Sequence, residues 1–366
     1  MLGGASVCLN MIVKNESNVI ARCLKSTRPL IDTWLIVDTG STDGTQQIIE
    51  QCLADLPGEL HERPWRNFGA NRSEALALAR TKADYTLIID ADEVLDISAE
   101  FSAPELTCDA YQLRTELVEL AYYRTQLVRS SLPWRYEGVL HEYLECDQPF
   151  SQAKLEGLIN RPSTDGARSA DPNKYLKDAA LLEQVLEADP KNARDVFYLA
   201  QSYRDARVPE AALTNYRRRV ALGGWAEEVW YSLFQIARLS ETTQRSDQEI
   251  VSAYLAAYEF RPSRAESSCA LARYFRLQNK YALAHLFAQR AIESPWPADL
   301  LFVDASVYAW RARDECSIAA YYLGKHEQVL ALTQALLEDP QLPESERARV
   351  QSNRGFSLKA VAKSRS

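Results

Sequence analysis

An apolar run that is followed at once by three carboxylates is the clearest chemical signal in this sequence. Residues 85–89 predict a strand buried on both faces of a parallel sheet, and Asp90, Asp92 and Glu93 follow it. Ligands of open α/β sheets bind just beyond the carboxyl ends of such strands. Carboxylate oxygens at that place suit a divalent cation that also holds phosphate oxygens. The alternative is that these acidic residues cap a following helix.

Two further segments come at the ends of the first two predicted strands. They run from residue 9 to residue 16 and from residue 36 to residue 45. Small residues in the second segment let the backbone approach a ligand, and Asp38 can accept a hydrogen bond from a base or ribose. Asp43 is more simply explained as a helix cap.

Cationic and imidazole groups come from two later segments. Arg72 lies at a predicted helix start, where an arginine and the helix N-terminus can together bind phosphate; a surface salt bridge is the alternative. If residues 134–142 form one strand, alternation places Glu137 and His141 on the same face. The imidazole could then complete the coordination of manganese beside carboxylates, although a lone histidine is more often structural.

Strands and helices alternate in the first part of the chain and would position these residues. Strands are predicted at 6–13, 33–38, 60–63 and 85–90, with helices between them. This order predicts βαβ units and an α/β fold with a mostly parallel sheet. Four segments between residues 111 and 159 are rich in Tyr, Val and Leu, and they predict an antiparallel extension of that sheet.

The sequence beyond residue 171 predicts an all-helical, repetitive domain. Equivalent helices align from Leu199 to Leu233, an offset of 34 residues, and from Leu233 to Leu271, an offset of 38. Tetratricopeptide repeats have a period of 34 residues. The match predicts a tetratricopeptide-like solenoid whose concave surface meets a partner, with a plain helical bundle as the alternative. One second helix of a repeat is expected to bury the stripe Leu283, Leu286, Phe287 and Ala291.

Length and composition set the wider limits. With 366 residues, the chain is expected to form two domains, 1–165 and 166–366, separated by a polar, turn-rich segment at 160–169. The net charge of −8 argues against general nucleic-acid binding. No apolar run reaches the roughly 18 residues of a membrane span, and the N-terminus predicts a strand, not a signal peptide. Seven scattered cysteines indicate a reducing, cytoplasmic setting.

Four motifs together resemble the family 2 glycosyltransferases of the nucleotide-sugar-binding GT-A fold. The motifs are residues 11–16, 37–45, 90–93 and 139–142. The similarity covers about the first 165 residues and is strongest to lipopolysaccharide-core glucosyltransferases and to tetratricopeptide-fused bacterial relatives. Residues 301–316 also look like the helical half of those fused proteins.

The resemblance implies a role for each matching residue. Asp38 would contact the uracil or ribose of the donor, and Arg72 its base and phosphates. Asp90 would contact the ribose, whereas Asp92 would bind the metal directly. His141 resembles a downstream metal ligand, and Arg168 would clamp the diphosphate. The other candidate donor-binding residues are Asn10, Val13, Asn15, Glu16, Gly40 and Ala91.

The implied reaction is inverting transfer of a hexose from a nucleotide-diphosphate sugar, with UDP-glucose as the first candidate, assisted by Mn2+ or Mg2+. Glu137 and Glu142 are both candidates for the general base. The acceptor would be a glycan, lipopolysaccharide or a protein held by the repeats, at the cytoplasmic side of the membrane. A homodimer is compatible with the sequence. The competing hypothesis is a degenerate transferase domain that serves as a repeat-based adaptor.

Overall fold

Parallel strands joined by helices form the first part of the structure. The computed structural model describes residues 2–117, 120–140, 142–163, 165–166 and 171–364. The first four strands are β1 (Val7–Val13), β2 (Thr33–Asp38), β3 (Gly58–Glu62) and β4 (Tyr85–Ile88). The helices between them are α1 (Ile20–Thr27), α2 (Thr45–Cys52) and α3 (Phe68–Ala79). β1 pairs in parallel with β2 and β4, and β2 with β3, as the alternation predicts.

Four more strands extend this sheet. They are β5 (Glu93–Ile97), β6 (Ala110–Glu116), β7 (Leu120–Arg129) and β10 (Gln152–Pro162), in the order β3-β2-β1-β4-β7-β6-β10-β5. β7 is antiparallel to β4 and β6, and β10 is antiparallel to β5. β6 and β10 run parallel, so the sheet is mixed but mostly parallel. The predicted α/β class is therefore confirmed.

The segment after the acidic motif is a strand, so the helix-cap interpretation of that motif is wrong. β5 begins at Glu93 itself and pairs with β10. Its side chains alternate: Leu95 is buried in the core, whereas Asp96 is exposed to solvent. This period of two suits a strand that is half covered, and β-branched and apolar residues favour it.

Two short antiparallel strands replace the single strand that alternation assumes for residues 134–142. β8 (Trp134–Glu137) and β9 (Tyr143–Cys146) pair with each other in a separate two-stranded sheet. Gly138 has a φ of +101°, which ends β8 directly after Glu137. The argument that placed Glu137 and His141 on one face is therefore wrong. His141 itself lies outside the described residues.

The chain divides into two compact units, Met1–Pro190 and Lys191–Ser366. The helix α4 (Lys174–Ala188) belongs to the first unit by this division. The division therefore comes later in the chain than residue 165. An independently folding domain that ends at residue 165 stays a prediction.

Antiparallel helix pairs build the second unit. Its helices are α5 (Ala193–Asp205), α6 (Pro209–Leu222), α7 (Ala226–Thr242), α8 (Asp247–Phe260), α9 (Ala265–Leu277), α10 (Tyr281–Glu293), α11 (Ala312–Tyr322), α12 (His326–Glu338) and α13 (Glu344–Ser364). A π-helical turn at Val307–Arg311 precedes α11. Leu199 and Leu271 are buried at equivalent places in α5 and α9. The predicted tetratricopeptide-like architecture is confirmed.

The predicted apolar stripe of α10 is wrong in two positions. Leu283 and Leu286 are 41% and 58% exposed. The small residues Ala284 and Ala288 face the interior instead, because short side chains let the neighbouring helices approach closely. In the described part of the chain, every helix is too short or too polar to cross a membrane.

Candidate active site

The acidic motif forms a tight turn at the carboxyl end of β4. The Glu93 amide donates to the Asp90 carbonyl at 3.1 Å, and the Asp90 amide donates to Oε2 of Glu93 at 2.9 Å. Arg72 of α3 donates through Nη2 to Oδ1 of Asp90 at 2.5 Å. Burial alone would raise the pKa of Asp90, but Arg72 and Arg124 outweigh it and hold that pKa below its usual value. Asp90 therefore stays ionised.

Asp92 lies in the opposite electrostatic environment. Burial and the nearby charges of Asp90, Glu93 and Asp165 raise the pKa of Asp92 to about 6. Within the described residues, no side chain donates a hydrogen bond to its carboxylate. A carboxylate under such negative potential gains most from a bound cation, so the site fits a divalent metal ion.

The candidate metal ligands among the described residues can supply only part of the coordination shell of a divalent cation. Among the residues that the structure describes, no group of three His, Cys, Asp or Glu side chains is close enough to hold a metal. Mg2+ is usually bound by one or two carboxylates, with water and substrate phosphates completing the shell. His141 and Arg168 lie outside the described residues, and their roles stay predictions.

Asp38 contributes an unpaired buried carboxylate oxygen at the end of β2. Its side chain is fully buried, and Oδ1 accepts from the amides of Gly40 at 2.7 Å and Ser41 at 2.8 Å. Oδ2 is buried without a hydrogen-bond partner among the described residues. Leaving such an oxygen unpaired is costly, so it is suited to a donor group on a ligand. The φ of +108° at Gly40 allows the turn that positions both amides.

The loops after β1 and β2 are joined by side-chain hydrogen bonds. Oδ1 of Asn15 accepts from the Thr42 amide at 2.8 Å, and the Asn15 amide donates to Oγ of Ser41 at 2.8 Å. The Glu16 amide donates to Oγ1 of Thr45, also at 2.8 Å. Asn15 and Glu16 thus belong to the rim beside Asp38, and contact of either with the donor stays a prediction.

Asn10 and Val13 make contacts that explain them structurally. Nδ2 of the buried Asn10 donates to the carbonyls of Leu35 and Ala75, each at 3.1 Å. The Val13 carbonyl accepts from the amide and hydroxyl of Thr39. These contacts hold β1 against β2 and α3. A direct ligand role for Asn10, Val13 or the buried Ala91 stays a prediction.

The structure separates the two candidate bases. Oε1 of Glu142 lies 2.6 Å from Nε of Arg72, whose Nη2 contacts Asp90. Oε1 of Glu137 lies 2.7 Å from Nε of Arg135 on β8, and the Glu137 side chain is 44% exposed. Arg72 therefore brings Glu142, and not Glu137, next to the acidic turn.

Sequence reasoning missed the ion pair between Glu93 and Arg124. Nη2 of Arg124, on β7, lies 2.7 Å from Oε1 and 2.6 Å from Oε2 of Glu93, which is 3% exposed. Oδ2 of Asp90 is 3.8 Å from Nη1 of the same arginine. An arginine inside the apolar strand 120–129 was the available signal, because buried arginines usually have an acidic partner.

Taken together, the fold and the site define an α/β domain with an acidic turn at the carboxyl edge of its parallel strands. Residues 8–99 match the family model described as Glycosyl transferase family 2. Residues 8–99 therefore carry a glycosyltransferase family 2 domain. The match includes three of the four motifs, at 11–16, 37–45 and 90–93, and confirms their resemblance to that family.

Curated relatives share the same region. A TPR repeat-containing protein of Synechococcus elongatus is 32% identical over 149 residues, which are 38% of this chain and 36% of that protein. The lipopolysaccharide core biosynthesis glycosyltransferase LpsC of Rhizobium meliloti is 32% identical over 97 residues, 26% of this chain and 35% of that protein. The chain thus spans about a third of the length of these relatives.

Solved structures resemble the chain only loosely. S. aureus TarS 1-349 in complex with UDP-GlcNAc aligns with a TM-score of 0.32 and 14% identity, covering 69% of this chain and 90% of that one. A similarity of this size supports no argument about function.

Proposed function

We propose that the protein is an inverting, metal-dependent glycosyltransferase that moves a hexose from a nucleoside diphosphate sugar to an acceptor hydroxyl. The observation that carries this proposal is the unpaired, buried oxygen of Asp38 at the sheet edge where the acidic turn also lies. The Asp38 oxygen can accept a hydrogen bond from a nucleoside, and the acidic turn can hold a cation and a diphosphate. The family 2 domain supports the same activity.

A uridine nucleotide suits the Asp38 position. A carboxylate oxygen accepts hydrogen bonds, so a ligand group that pairs with Oδ2 of Asp38 would be a donor such as the N3–H of uracil or a ribose hydroxyl. UDP-glucose is our first candidate for the donor. Asp90, which Arg72 and Arg124 keep ionised, would accept from a ribose hydroxyl beside it.

Asp92 would hold Mn2+ or Mg2+, with His141 as the proposed second protein ligand. A bound cation would neutralise the negative charge that develops on the departing diphosphate. Arg168 is proposed to bind the same diphosphate. Arg72 orients the turn by its contacts with Asp90 and Glu142.

Inverting transfer also needs a carboxylate that takes the proton from the attacking hydroxyl. We favour Glu142 over Glu137 for this role, because Arg72 places it beside the acidic turn. The contact with Arg72 would also orient Glu142 before the acceptor arrives.

The acceptor is proposed to be a glycan, lipopolysaccharide or a protein held by the helical repeats. The name of LpsC favours a lipopolysaccharide acceptor, and that of the Synechococcus relative matches the repeats. We place the reaction in the cytoplasm, at the inner face of the membrane for a lipid-linked acceptor. A homodimer is compatible with each of these acceptors.

Calorimetry with UDP, in the presence and absence of manganese, tests the nucleotide site. We expect binding that strengthens with manganese. A mass-detected hydrolysis screen of nucleotide sugars would then identify the donor, and the same screen with candidate acceptors would identify the product. Absence of UDP binding under both conditions would contradict the proposal and favour the adaptor hypothesis.

A further inference from the structure

Ser163 and Gly166, which follow β10, lie directly against Asp92, the proposed metal ligand. We call Ser163, Asp165 and Gly166 the strap. β10 ends at Pro162, which pairs with Glu93, so the chain leaves the sheet beside the acidic turn. The Ser163 amide donates to the Asp92 carbonyl at 3.1 Å, and Oγ of Ser163 lies 2.7 Å from the same carbonyl oxygen. The strap therefore holds the main chain of Asp92.

Gly166 brings the strap onto the Asp92 carboxylate itself. A Cβ atom at Gly166 would lie 2.7 Å from Oδ2 and 3.1 Å from Cγ of Asp92. The φ of Gly166 lies outside the left-handed region, so the backbone conformation is open to alanine. What the glycine supplies is therefore space, because any side chain would press on the carboxylate.

Arg22 of α1 fastens the strap. Its Nη1 donates to Oδ2 of Asp165 at 2.6 Å, and its Nη2 donates to Oδ1 at 2.5 Å. The same Nη2 lies 2.5 Å from Oγ of Ser163. A two-point arginine–carboxylate contact gives orientation as well as attraction. One guanidinium thus holds two of the three residues of the strap.

The contact between Arg22 and Asp165 contributes little to the stability of the fold. The side chains of Arg22 and Asp165 are 40% and 53% exposed, and exposed ion pairs contribute only about 0 to 1 kcal/mol. Its geometric consequence is larger, since Arg22 reaches Asp92 through the Ser163 hydroxyl. Groups that orient a metal ligand in this way commonly change metal affinity about 10- to 100-fold when they are removed.

We propose that Arg22 is a positioning residue for the cation site: through Asp165 and Ser163 it holds the strap on Asp92 and sets the orientation of that carboxylate. The inference rests on the proposed function, because the cation belongs to that proposal. Arg22 itself binds neither the nucleotide nor the cation.

The test is a manganese titration of the full chain at a constant UDP concentration, followed by calorimetry. Arg22→Ala should weaken the apparent manganese affinity about 10-fold, while UDP binding without metal is unchanged. Asp165→Asn should act in the same direction. Gly166→Ala should also weaken manganese binding, because the added methyl group meets the Asp92 carboxylate. Arg22→Lys keeps the charge without the two-point contact, so we expect an intermediate affinity.

Matched controls are available in the same chain. Arg28→Ala removes a surface arginine that pairs with Asp55 at 2.6 Å, close to the end of α1. Gly355→Ala adds a methyl group where nothing lies within 4 Å. Both controls should bind manganese and UDP as the wild type does.

The outcomes separate this inference from the proposed function. If the wild type shows no manganese-dependent UDP binding, the proposed function fails. If the wild type binds but Arg22→Ala and Gly166→Ala match it, the positioning role is wrong. Equal loss of UDP binding with and without manganese, together with a lower melting temperature, would show a merely structural role and would also overturn the inference.

Discussion

At the scale of single residues, neighbouring carboxylates in one turn have opposite environments. Two guanidinium groups keep Asp90 ionised, whereas Asp92 has no described cationic partner and its pKa rises to about 6. The pairing of Asp90 makes it a fixed hydrogen-bond acceptor. Because Asp92 lacks such an ion pair among the described residues, it is the carboxylate that a bound cation would stabilise. The two residues can therefore have different roles at one site.

Asp92→Asn should lose transfer activity and yet stabilise the metal-free protein. The pKa of Asp92 is about 6 when folded and about 3.9 in a model peptide, so at pH 7 the folded state bears the cost of ionising it. This penalty is absent below pH 4 and grows as the pH rises to 6. In chelator at pH 7, urea denaturation should show a gain of about 1 to 2 kcal/mol.

At pH 3.5 the same substitution should leave stability unchanged. A variant that stays fully active would disprove the metal assignment. A variant that is inactive but less stable than the wild type at pH 7 would contradict the electrostatic account.

Asp38→Asn probes the unpaired oxygen with little change of shape. The asparagine oxygen can still accept from the Gly40 and Ser41 amides, while an NH2 group replaces the unpaired Oδ2. A donor on the ligand would then face another donor, so UDP affinity should fall by about 2 kcal/mol. Calorimetry measures this, and circular dichroism should show an unchanged fold. Unaltered UDP affinity would exclude Asp38 from the nucleotide site.

At the scale of secondary-structure elements, one ion pair ties the acidic turn to a strand elsewhere in the sheet. Glu93 begins β5, and Arg124 lies on β7, with β6 and β10 between the two strands in the sheet order. Because Glu93 also accepts from the Asp90 amide, the contact sets the shape of the turn. The extension of the sheet therefore supports the site in addition to completing the core.

Arg124→Met should be destabilising because it leaves the buried Glu93 without its partner. Since the Arg124 side chain is 35% exposed, solvent screens this pair in part, and we expect a loss of about 1 to 3 kcal/mol. The double variant Glu93→Gln with Arg124→Met should recover part of that loss. Urea denaturation of both variants measures the coupling.

Arg161→Met is the surface control for this experiment. The Arg161 side chain is 47% exposed, and its partners Asp96 and Glu116 are 60% and 22% exposed. We expect a change of at most about 1 kcal/mol. Equal losses for Arg124→Met and Arg161→Met would mean that burial of the first pair has no energetic effect.

At the scale of the whole molecule, the two compact units rely on different kinds of interior. The first buries the apolar faces of a mixed sheet, whereas the second buries ionic groups in addition to the apolar faces of its helices. Arg264 is fully buried, contacts Glu266 at 2.7 Å and Asp299 at 2.9 Å, and lies 3.7 Å from the centre of the Trp230 ring. This arginine links α7, α9 and the segment before α11.

Arg264→Met should destabilise the helical unit by about 3 to 5 kcal/mol. The buried Glu266 loses its ion pair with Arg264, and Asp299 keeps its pair with Arg261 alone. Manganese-dependent UDP binding should persist below the melting temperature, since the proposed site lies in the first unit. Arg245→Ala is the control: its partner Glu210 is 68% exposed. A large loss of UDP affinity in the folded Arg264→Met protein would contradict this separation.

The sequence alone determined the order of the first four strands and the helices between them, the fold class and the acidic motif, because these follow from hydrophobic periodicity and local composition. It could not show that a strand follows the motif, that Gly138 interrupts β8, or that Leu283 and Leu286 are exposed. Those features depend on which surfaces meet in the folded chain.

The partners of each charged residue were likewise decided only by the tertiary structure. Arg72 contacts Glu142, Arg124 contacts Glu93, and Arg22 contacts Asp165, and each pair is far apart in the sequence. Ion pairs of this kind leave no local sequence pattern. The residues around an arginine do not show whether its guanidinium contacts water or a carboxylate that is distant in the sequence. The tertiary structure therefore decides which carboxylates pair with arginines and which carboxylate is available to bind a cation.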